Sequence, residues 1–324
     1  MKPINQSRQQ QNIIKFDEDG DDTPMMDSEG STTAEPVATP APDGASKGLC
    51  FISFGSGSSG NCAYLGTPTG GILIDAGINP DVVLPELARN GITPQHIKGI
   101  ILTHDHKDHV CYAYKLVRQN KHIRIYCTRR LLKGILLKHK VSSRIENYQI
   151  NIYKEIPFRI MDMEITAFET SHDGSDNMGF MIEWEGERFV VGTDMGVITP
   201  RAEYYMSMAD HLMIESNYDS QMLETGHYAE ILKDRVRGEQ GHLDNVVAAQ
   251  FVASHYHPRL RHVFLCHLSN DNNTPEKACD AMRHALEQQG ISVGDGSNRV
   301  GERDCDVQVF ALPRYVSSPW FVLA

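Results

Sequence analysis

From Leu49 onward, short apolar runs alternate with turn-rich segments and with stretches of helical periodicity. The runs in the first half predict strands, because they are short and rich in apolar and β-branched residues. They read CFISF, CAYL, GILIDAG, GIILT, IRIYC, EITAF, GFMIEW and FVVGTD. GIILT (99–103) is continuously apolar, which is typical of a strand buried on both faces.

Helical periodicity lies between and after these runs. The pattern, with its capping and stop residues, predicts helices over 81–90, 109–119, 129–139, 221–235, 243–255 and 274–289. Two further strands, HLMIES and HVFLCH, alternate with the last three helices. Strands come first, then strands mixed with helices, and this order occurs twice. We therefore predict an α/β (α+β) fold in which two packed sheets carry helices outside, a four-layer αβ/βα sandwich.

Residues 1–47 lack this apolar periodicity. They contain a Gln run, an acidic cluster at 17–22 and a Pro/Ala/Thr stretch at 35–42. Such composition cannot offset the entropy of ordering, so we predict a disordered acidic tail over 1–47 and a single folded domain over 48–324. An interaction tail that folds on a partner is the alternative.

Charge and cysteine content limit the kinds of partner and the cellular compartment that suit this chain. The net charge is −11, and residues 1–48 carry four basic and nine acidic side chains, which leaves −6 for the remainder. This argues against a polyanion binder that works through bulk positive charge. No apolar run suits a membrane span or a secretory leader. The seven scattered cysteines suit free thiols. We therefore expect a cytoplasmic protein.

Candidate chemistry is concentrated in THDHKDH (103–109), directly after the apolar strand. His104 and His106 are two residues apart, so in extended backbone their side chains leave on the same side and can hold one metal ion. Asp108 and His109 follow where the chain turns into a helix, and they can face a second ion. Imidazole and carboxylate ligands suit zinc, and also iron or manganese.

One segment cannot fill two coordination spheres, so other ligands must come from elsewhere. Three candidates lie at or just past the ends of strand-like runs. His172 follows EITAFETS, Asp194 ends FVVGTD and His267 ends HVFLCH. Their shared placement makes them stronger candidates than any would be alone.

THDHKDH resembles the HxHxDH signature of the metallo-β-lactamase superfamily, and LIDAG, His172, TDMG and His267 resemble its other motifs in order. The resemblance runs from about Leu49 to Ala311. Within the superfamily, the opening GSGSSGNC and the closing HLSNDNNTPEKA resemble the YycJ (WalJ) group of DNA-processing hydrolases.

The resemblance implies a role for each matching residue. His104, His106 and His172 would hold one divalent metal, and Asp108, His109 and His267 a second, both Zn²⁺ or Mn²⁺ with Fe possible. Asp194 would bridge the two. Asp75 resembles the family's buried carboxylate that supports the metal-binding loop.

Two further residues resemble a pair found near the scissile phosphate in ribonuclease Z proteins. Glu215 ends the strand HLMIE, and His242 precedes the helix at 243. We expect His242, held by Glu215, to donate a proton to the leaving oxygen, and Asp108 or Asp194 to orient the attacking water. A helix cap or a surface histidine is the plainer interpretation of His242. Asn61, Ser269 and Asn270 could line the site as hydrogen-bond donors.

The spacing between motifs narrows the kind of hydrolase. From His172 to Asp194 is 22 residues, too few for the substrate-clamping arm of ribonuclease Z proteins. From Asp194 to His267 is 73 residues, too few for the extra domain of ribonuclease J-type relatives. For the YycJ group the resemblance implies 5′-to-3′ exonuclease action on double-stranded DNA, tied to DNA repair. The phosphate-binding candidates are Lys107, Arg129, Arg130, Lys133, Arg259 and Arg261.

Two other functions stay open. The same metal site would serve a small-molecule hydrolase such as a lactonase, thioesterase or cyclic phosphodiesterase, because a fold does not fix its substrate. The negative charge favours this alternative, whereas the Glu215 and His242 pattern favours phosphodiester chemistry. A non-enzymatic diiron redox protein is disfavoured, because those relatives carry Glu where this chain has His106.

Overall fold

The computed structural model describes residues 48–296 and 304–323. The predicted tail at 1–47 lies outside the described residues. In the described part the helices are α1 (Pro80–Arg89), α2 (Lys107–Val110), α3 (Ala113–Gln119), α4 (Arg129–Lys138), α5 (Pro200–Met206), α6 (Ser220–Thr225), α7 (Glu230–Arg237), α8 (Asn245–Ser254) and α9 (Pro275–Glu287). None of these helices combines the length and apolarity of a membrane span.

The strands form two mixed sheets. The first sheet consists of β1 (Cys50–Gly55), β2 (Cys62–Thr67), β3 (Gly70–Ile74), β4 (Ile97–Ile101), β5 (Arg124–Cys127), β6 (Gln149–Asn151) and β15 (Phe321–Val322). The second consists of β7 (Phe158–Ile160), β8 (Met163–Glu169), β9 (Met178–Trp184), β10 (Glu187–Gly192), β11 (His211–Glu215), β12 (His262–Cys266), β13 (Val293–Gly294) and β14 (Val307–Ala311). Their orders are β15-β1-β2-β3-β4-β5-β6 and β13-β14-β12-β11-β10-β9-β8-β7.

Two apolar cores hold four layers together. The larger one lies between the sheets, where the ring of Phe51 on β1 stands 5.0 Å from Phe189 on β10 and 4.7 Å from Phe264 on β12. It continues onto the outer face of the first sheet through buried side chains of α1, α3 and α4. The second core joins the outer face of the second sheet to α5, α8 and α9. The predicted αβ/βα sandwich is confirmed.

Strand direction places the candidate residues at one rim. In the first sheet β3 and β4 are parallel, and in the second sheet β10, β11 and β12 are parallel. Strand β8 runs the same way as β10, because each is antiparallel to β9 between them. The carboxyl ends of parallel strands share one edge of a sheet, where ligand sites of α/β proteins commonly form. All the predicted metal ligands follow such ends.

Two predicted helices are interrupted, which corrects the sequence-based prediction. The helix expected over 109–119 breaks between α2 and α3, because the Tyr112 N–H donates to the Ala76 carbonyl (2.9 Å) instead of continuing the helix. The helix expected over 221–235 divides into α6 and α7, because Gly226 is extended (φ −70°, ψ 166°). The folded part also extends beyond Ala311, where the sequence resemblance ends, because β15 pairs with β1.

Candidate metal centre

The loop after β4 presents the HxHxDH side chains together. His106 is extended (φ −71°, ψ 149°) and caps α2, whose first turn carries Asp108 and His109. One potential ligand atom from each of His104, His106 and His172 lies within 4.8 Å of the others. The second set, Asp108, His109 and His267, meets the same limit. The two sets correspond to the two predicted metal positions.

Asp194 lies between these sets. Its Oδ2 is 3.3 Å from His109 Nε2, and its Oδ1 is 3.7 Å from His172 Nε2. Asp194 Oδ1 also lies 3.4 Å from His267 Nδ1, so the carboxylate contacts members of both sets, as a bridging ligand would. The structure thus brings together all seven predicted metal-binding residues.

Two buried imidazole nitrogen atoms indicate that this set of side chains suits a metal ion. His104 Nε2 and His267 Nε2 have no hydrogen-bond partner among the described residues, and His267 Nε2 is 3.6 Å from Asp108 Oδ2. Buried polar atoms are normally satisfied, so unpartnered imidazole nitrogens that face carboxylates fit a metal ion well.

Electrostatics at the site favours a cation. Burial would raise the pKa of Asp194, but the surrounding imidazoles, first of all His267 and His109, hold it well below its usual range. Burial also opposes charge on His109, yet Asp75, Asp194 and Asp108 raise its pKa to about 9. Burial and the neighbouring imidazoles lower the pKa of His104, which keeps it in the neutral form that binds metals.

Each imidazole is oriented through its other ring nitrogen. His172 Nδ1 lies 3.0 Å from the Gly241 carbonyl, so Nε2 is left to face His106. His106 Nε2 lies 3.0 Å from Asp173 Oδ1, which in turn accepts hydrogen bonds from Arg235 (2.8 Å) through Oδ2. Such outer partners fix the orientation and tautomer of a ligand histidine. Sequence reasoning missed Asp173 and Arg235, although Asp173 directly follows His172.

Asp75 has the supporting role that the resemblance implied. Its Oδ2 lies 2.7 Å from His109 Nδ1, and its Oδ1 accepts hydrogen bonds from the Thr103 N–H (2.9 Å) and hydroxyl (3.1 Å). The carboxylate therefore ties the loop after β3 to the HxHxDH loop and directs His109 Nε2 toward Asp194.

Replacing Asp75 with Asn should therefore weaken metal binding by about ten- to a hundredfold, since the amide cannot hold His109 as a carboxylate does. Competition with a chelator would measure this. D81N, at an exposed aspartate that pairs with Lys115, is the matched control and should leave metal affinity unchanged. Equal affinities for the two variants would contradict a supporting role for Asp75.

Glu215 connects His242 to the centre. Its Oε1 lies 2.7 Å from His242 Nδ1 and 3.1 Å from His267 Nδ1, while its Oε2 accepts from the N–H groups of Met195 and Leu243. Burial would raise the pKa of Glu215, but the charge and hydrogen bond of His242 lower it. The buried carboxylate thus orients one predicted metal ligand and one predicted proton donor.

A cavity of about 240 Å³ opens onto these groups. Among the side chains that line it are those of His106, Asp108, Asp194, His242 and His267. Because His242 Nδ1 is engaged by Glu215, its Nε2 is the nitrogen available to a molecule in the cavity.

Asn61, Ser269 and Asn270, the three candidate hydrogen-bond donors, differ in whether they contact the proposed metal ligands. The Asn61 amide nitrogen lies 3.2 Å from Asp108 Oδ2 and 2.9 Å from His109 Nε2, so Asn61 belongs to the centre. Ser269 and Asn270 form hydrogen bonds with Asn272 and Asp271 of their own loop.

Backbone strain marks three strand ends of the centre. Asp75, Asp194 and His267 have φ values of 60°, 51° and 53°, in the left-handed region that non-glycine residues seldom occupy. Strained backbone of this kind is concentrated at functional sites, where surrounding structure holds it. The three turns direct their side chains to the same rim.

Comparisons with known proteins agree with this geometry. The family described as "Beta-lactamase superfamily domain" matches residues 71–267. Exodeoxyribonuclease YycJ of Bacillus anthracis is 29% identical over 249 residues, which cover 76% of this chain and 93% of the relative. Exodeoxyribonuclease WalJ of Streptococcus pneumoniae is 29% identical over 248 residues, 76% of this chain and 91% of the relative.

Solved structures show the same fold. The metallo-β-lactamase fold protein YhfI from Bacillus subtilis superposes with a TM-score of 0.57 at 14% identity, over 84% of this chain and 99% of that one. Zn²⁺-bound PqqB from Methylobacterium extorquens gives 0.57 at 16% identity, over 83% and 99%. With its two-sheet sandwich, its HxHxDH loop and a family match over more than half its length, the chain belongs to the metallo-β-lactamase superfamily of hydrolases.

Proposed function

We propose that this chain is a dinuclear metal-dependent phosphodiesterase that degrades DNA as a 5′-to-3′ exonuclease. One observation carries the substrate class: the likeness to two proteins named exodeoxyribonucleases extends over more than nine-tenths of their lengths. The pair formed by Glu215 and His242 beside the metal centre supports phosphodiester chemistry, because it supplies an oriented proton donor.

In this proposal His104, His106 and His172 hold one metal, Asp108, His109 and His267 hold the other, and Asp194 bridges them. Nitrogen and oxygen donors in this combination suit Zn²⁺ or Mn²⁺, and also iron. The seven free thiols support a reducing compartment such as the cytoplasm.

Bound divalent ions would supply Lewis acidity toward a phosphoryl oxygen and toward the attacking water. The remaining steps belong to the chain's own residues. Asp108, whose side chain is 22% exposed and lines the cavity, orients the attacking water and accepts its proton. His242 donates a proton from Nε2 to the leaving oxygen, while Glu215 keeps Nδ1 engaged and stabilises the protonated ring.

The test is a cleavage assay with Mn²⁺ or Zn²⁺ on duplex DNA that carries a 5′ phosphate, labelled in turn at each end. We expect mononucleotides to be released first from the 5′ end. A panel containing a lactone, a thioester and bis-nitrophenyl phosphate would be run in parallel. Hydrolysis of the lactone or thioester without any cleavage of DNA would replace this proposal with the small-molecule alternative.

A further inference from the structure

A second cavity, of about 320 Å³, adjoins the cavity of the metal centre. The two share His172 and Gln240 as lining residues. The shared histidine is one of the proposed metal ligands, so a molecule held at the metals has this second cavity directly beside it. We call it the side cavity.

Hydrogen-bonding groups without charge make up much of the wall of the side cavity. Neutral polar side chains line much of it, among them Thr170, Ser171, Ser175, Asn177 and Thr199.

Its lysine is already neutralised. Lys154 Nζ lies 2.7 Å from Asp176 Oδ1 and 3.4 Å from Glu169 Oε1. The cavity therefore offers hydroxyl and amide groups around a compensated charge, an environment for a neutral polar molecule.

Two side chains of the side cavity remain available to a ligand. Arg130 and Gln240 are both exposed, and neither side chain makes an ion pair or hydrogen bond with any other residue in the described ranges. Arg130 stands in the first turn of α4, whose capping residue Thr128 donates to Asp176 (2.6 Å). A guanidinium group can stack on a base or bond to its edge, and a glutamine amide can also read a base edge.

The other basic residues considered from the sequence are placed differently. Arg259 forms two hydrogen bonds with Asp210, and Arg261 pairs with Glu187. Both lie near the amino ends of β11 and β12, opposite the metal rim. Of these candidates, Arg130 lines one of the two cavities, and the others line neither.

We infer that the side cavity binds one of the two nucleosides that flank the scissile phosphate, with Arg130 and Gln240 contacting its base. This inference rests on the proposed function, because the phosphate must lie at the metals for its nucleoside to reach the cavity. The volume is within the range of small-ligand pockets, and the donors and acceptors match those of a sugar and a base.

The test compares R130A and Q240A with R118A, each in the full metal-loaded protein. Arg118 is the control, since it is an exposed arginine on α3 that lines neither cavity. The substrates are duplex DNA with all bases intact and two duplexes with an abasic nucleotide at the 5′-terminal or the penultimate position. Unchanged melting temperatures would establish that the variants fold.

On intact DNA we expect kcat/KM to fall about tenfold for R130A and Q240A, since one base contact is worth this much, and to stay within about twofold of wild type for R118A. When the abasic nucleotide is the one whose base would occupy the side cavity, R130A should lower kcat/KM by about twofold or less. The inference is overturned if R130A has the same activity as R118A, or if the loss in R130A is the same on all three substrates. Wild-type protein that cleaves no DNA would overturn the proposed function itself, a distinguishable result.

Discussion

Replacing Asp194 with Ala should remove both metals and lower activity by at least about a thousandfold. The carboxylate contacts both ligand sets, since Oδ2 is 3.3 Å from His109 Nε2, and Oδ1 is 3.4 Å from His267 Nδ1 and 3.7 Å from His172 Nε2. Without this negative charge between them, two dications would repel each other, and a catalytic step that depends on the metals would lose several kcal/mol of transition-state stabilisation. Metal analysis of the purified variant beside a phosphodiesterase assay would measure both effects.

His104→Ala should give the same result, because its unpartnered Nε2 is one of the proposed ligand atoms. The control is His284→Ala, at an exposed histidine on α9 that contacts Gln288. This variant should keep wild-type metal content and activity. A D194A protein that still holds two metals with undiminished affinity would remove Asp194 from the coordination sphere.

Replacing His242 with Ala should lower kcat on DNA by about a hundred- to ten-thousandfold while metal content stays unchanged. The reason is that His242 Nδ1 is bound to Glu215, so in the proposed mechanism Nε2 is the proton donor and not a metal ligand. The measurement combines single-turnover cleavage with metal analysis of the same sample.

The leaving group provides a sharper test of this role. A nitrophenolate leaves without needing a proton, so H242A should retain much more of its activity on bis-nitrophenyl phosphate than on DNA. E215Q should follow H242A but also weaken metal binding, since Glu215 contacts His267 as well. Equal losses on both substrates would contradict proton donation, and loss of metal from H242A would place His242 among the ligands.

The sequence predicts which candidate side chains converge at one rim, because these residues follow a simple geometric rule. THDHKDH lies after a continuously apolar strand, and His172, Asp194 and His267 each follow other strands. Parallel strands bring such positions to one edge, so order along the chain suffices without any knowledge of distances. The pairing of Glu215 with His242, by contrast, follows from the resemblance to ribonuclease Z proteins, since His242 precedes a helix and does not end a strand.

What the sequence does not reveal depends on tertiary contacts. Asp173 and Arg235 are 62 residues apart, and nothing in either neighbourhood indicates that they meet beside His106. The break after α2 has a similar origin, because it depends on a hydrogen bond from Tyr112 to the distant Ala76. The side cavity likewise becomes visible only when α4, the loop after β8 and the segment around Gln240 are brought together.

The pairing of β15 with β1 has a consequence for how the protein is made. Cys50 and Phe51 pair with Val322 and Phe321, and the Ser318 hydroxyl accepts a hydrogen bond from the Ser53 N–H. During translation, roughly 270 further residues must therefore be added before β15 leaves the ribosome and can pair with the outer edge of β1. An open strand edge invites intermolecular pairing, and contacts between distant segments form slowly. Nascent chains should accordingly depend on chaperones until their last strand emerges.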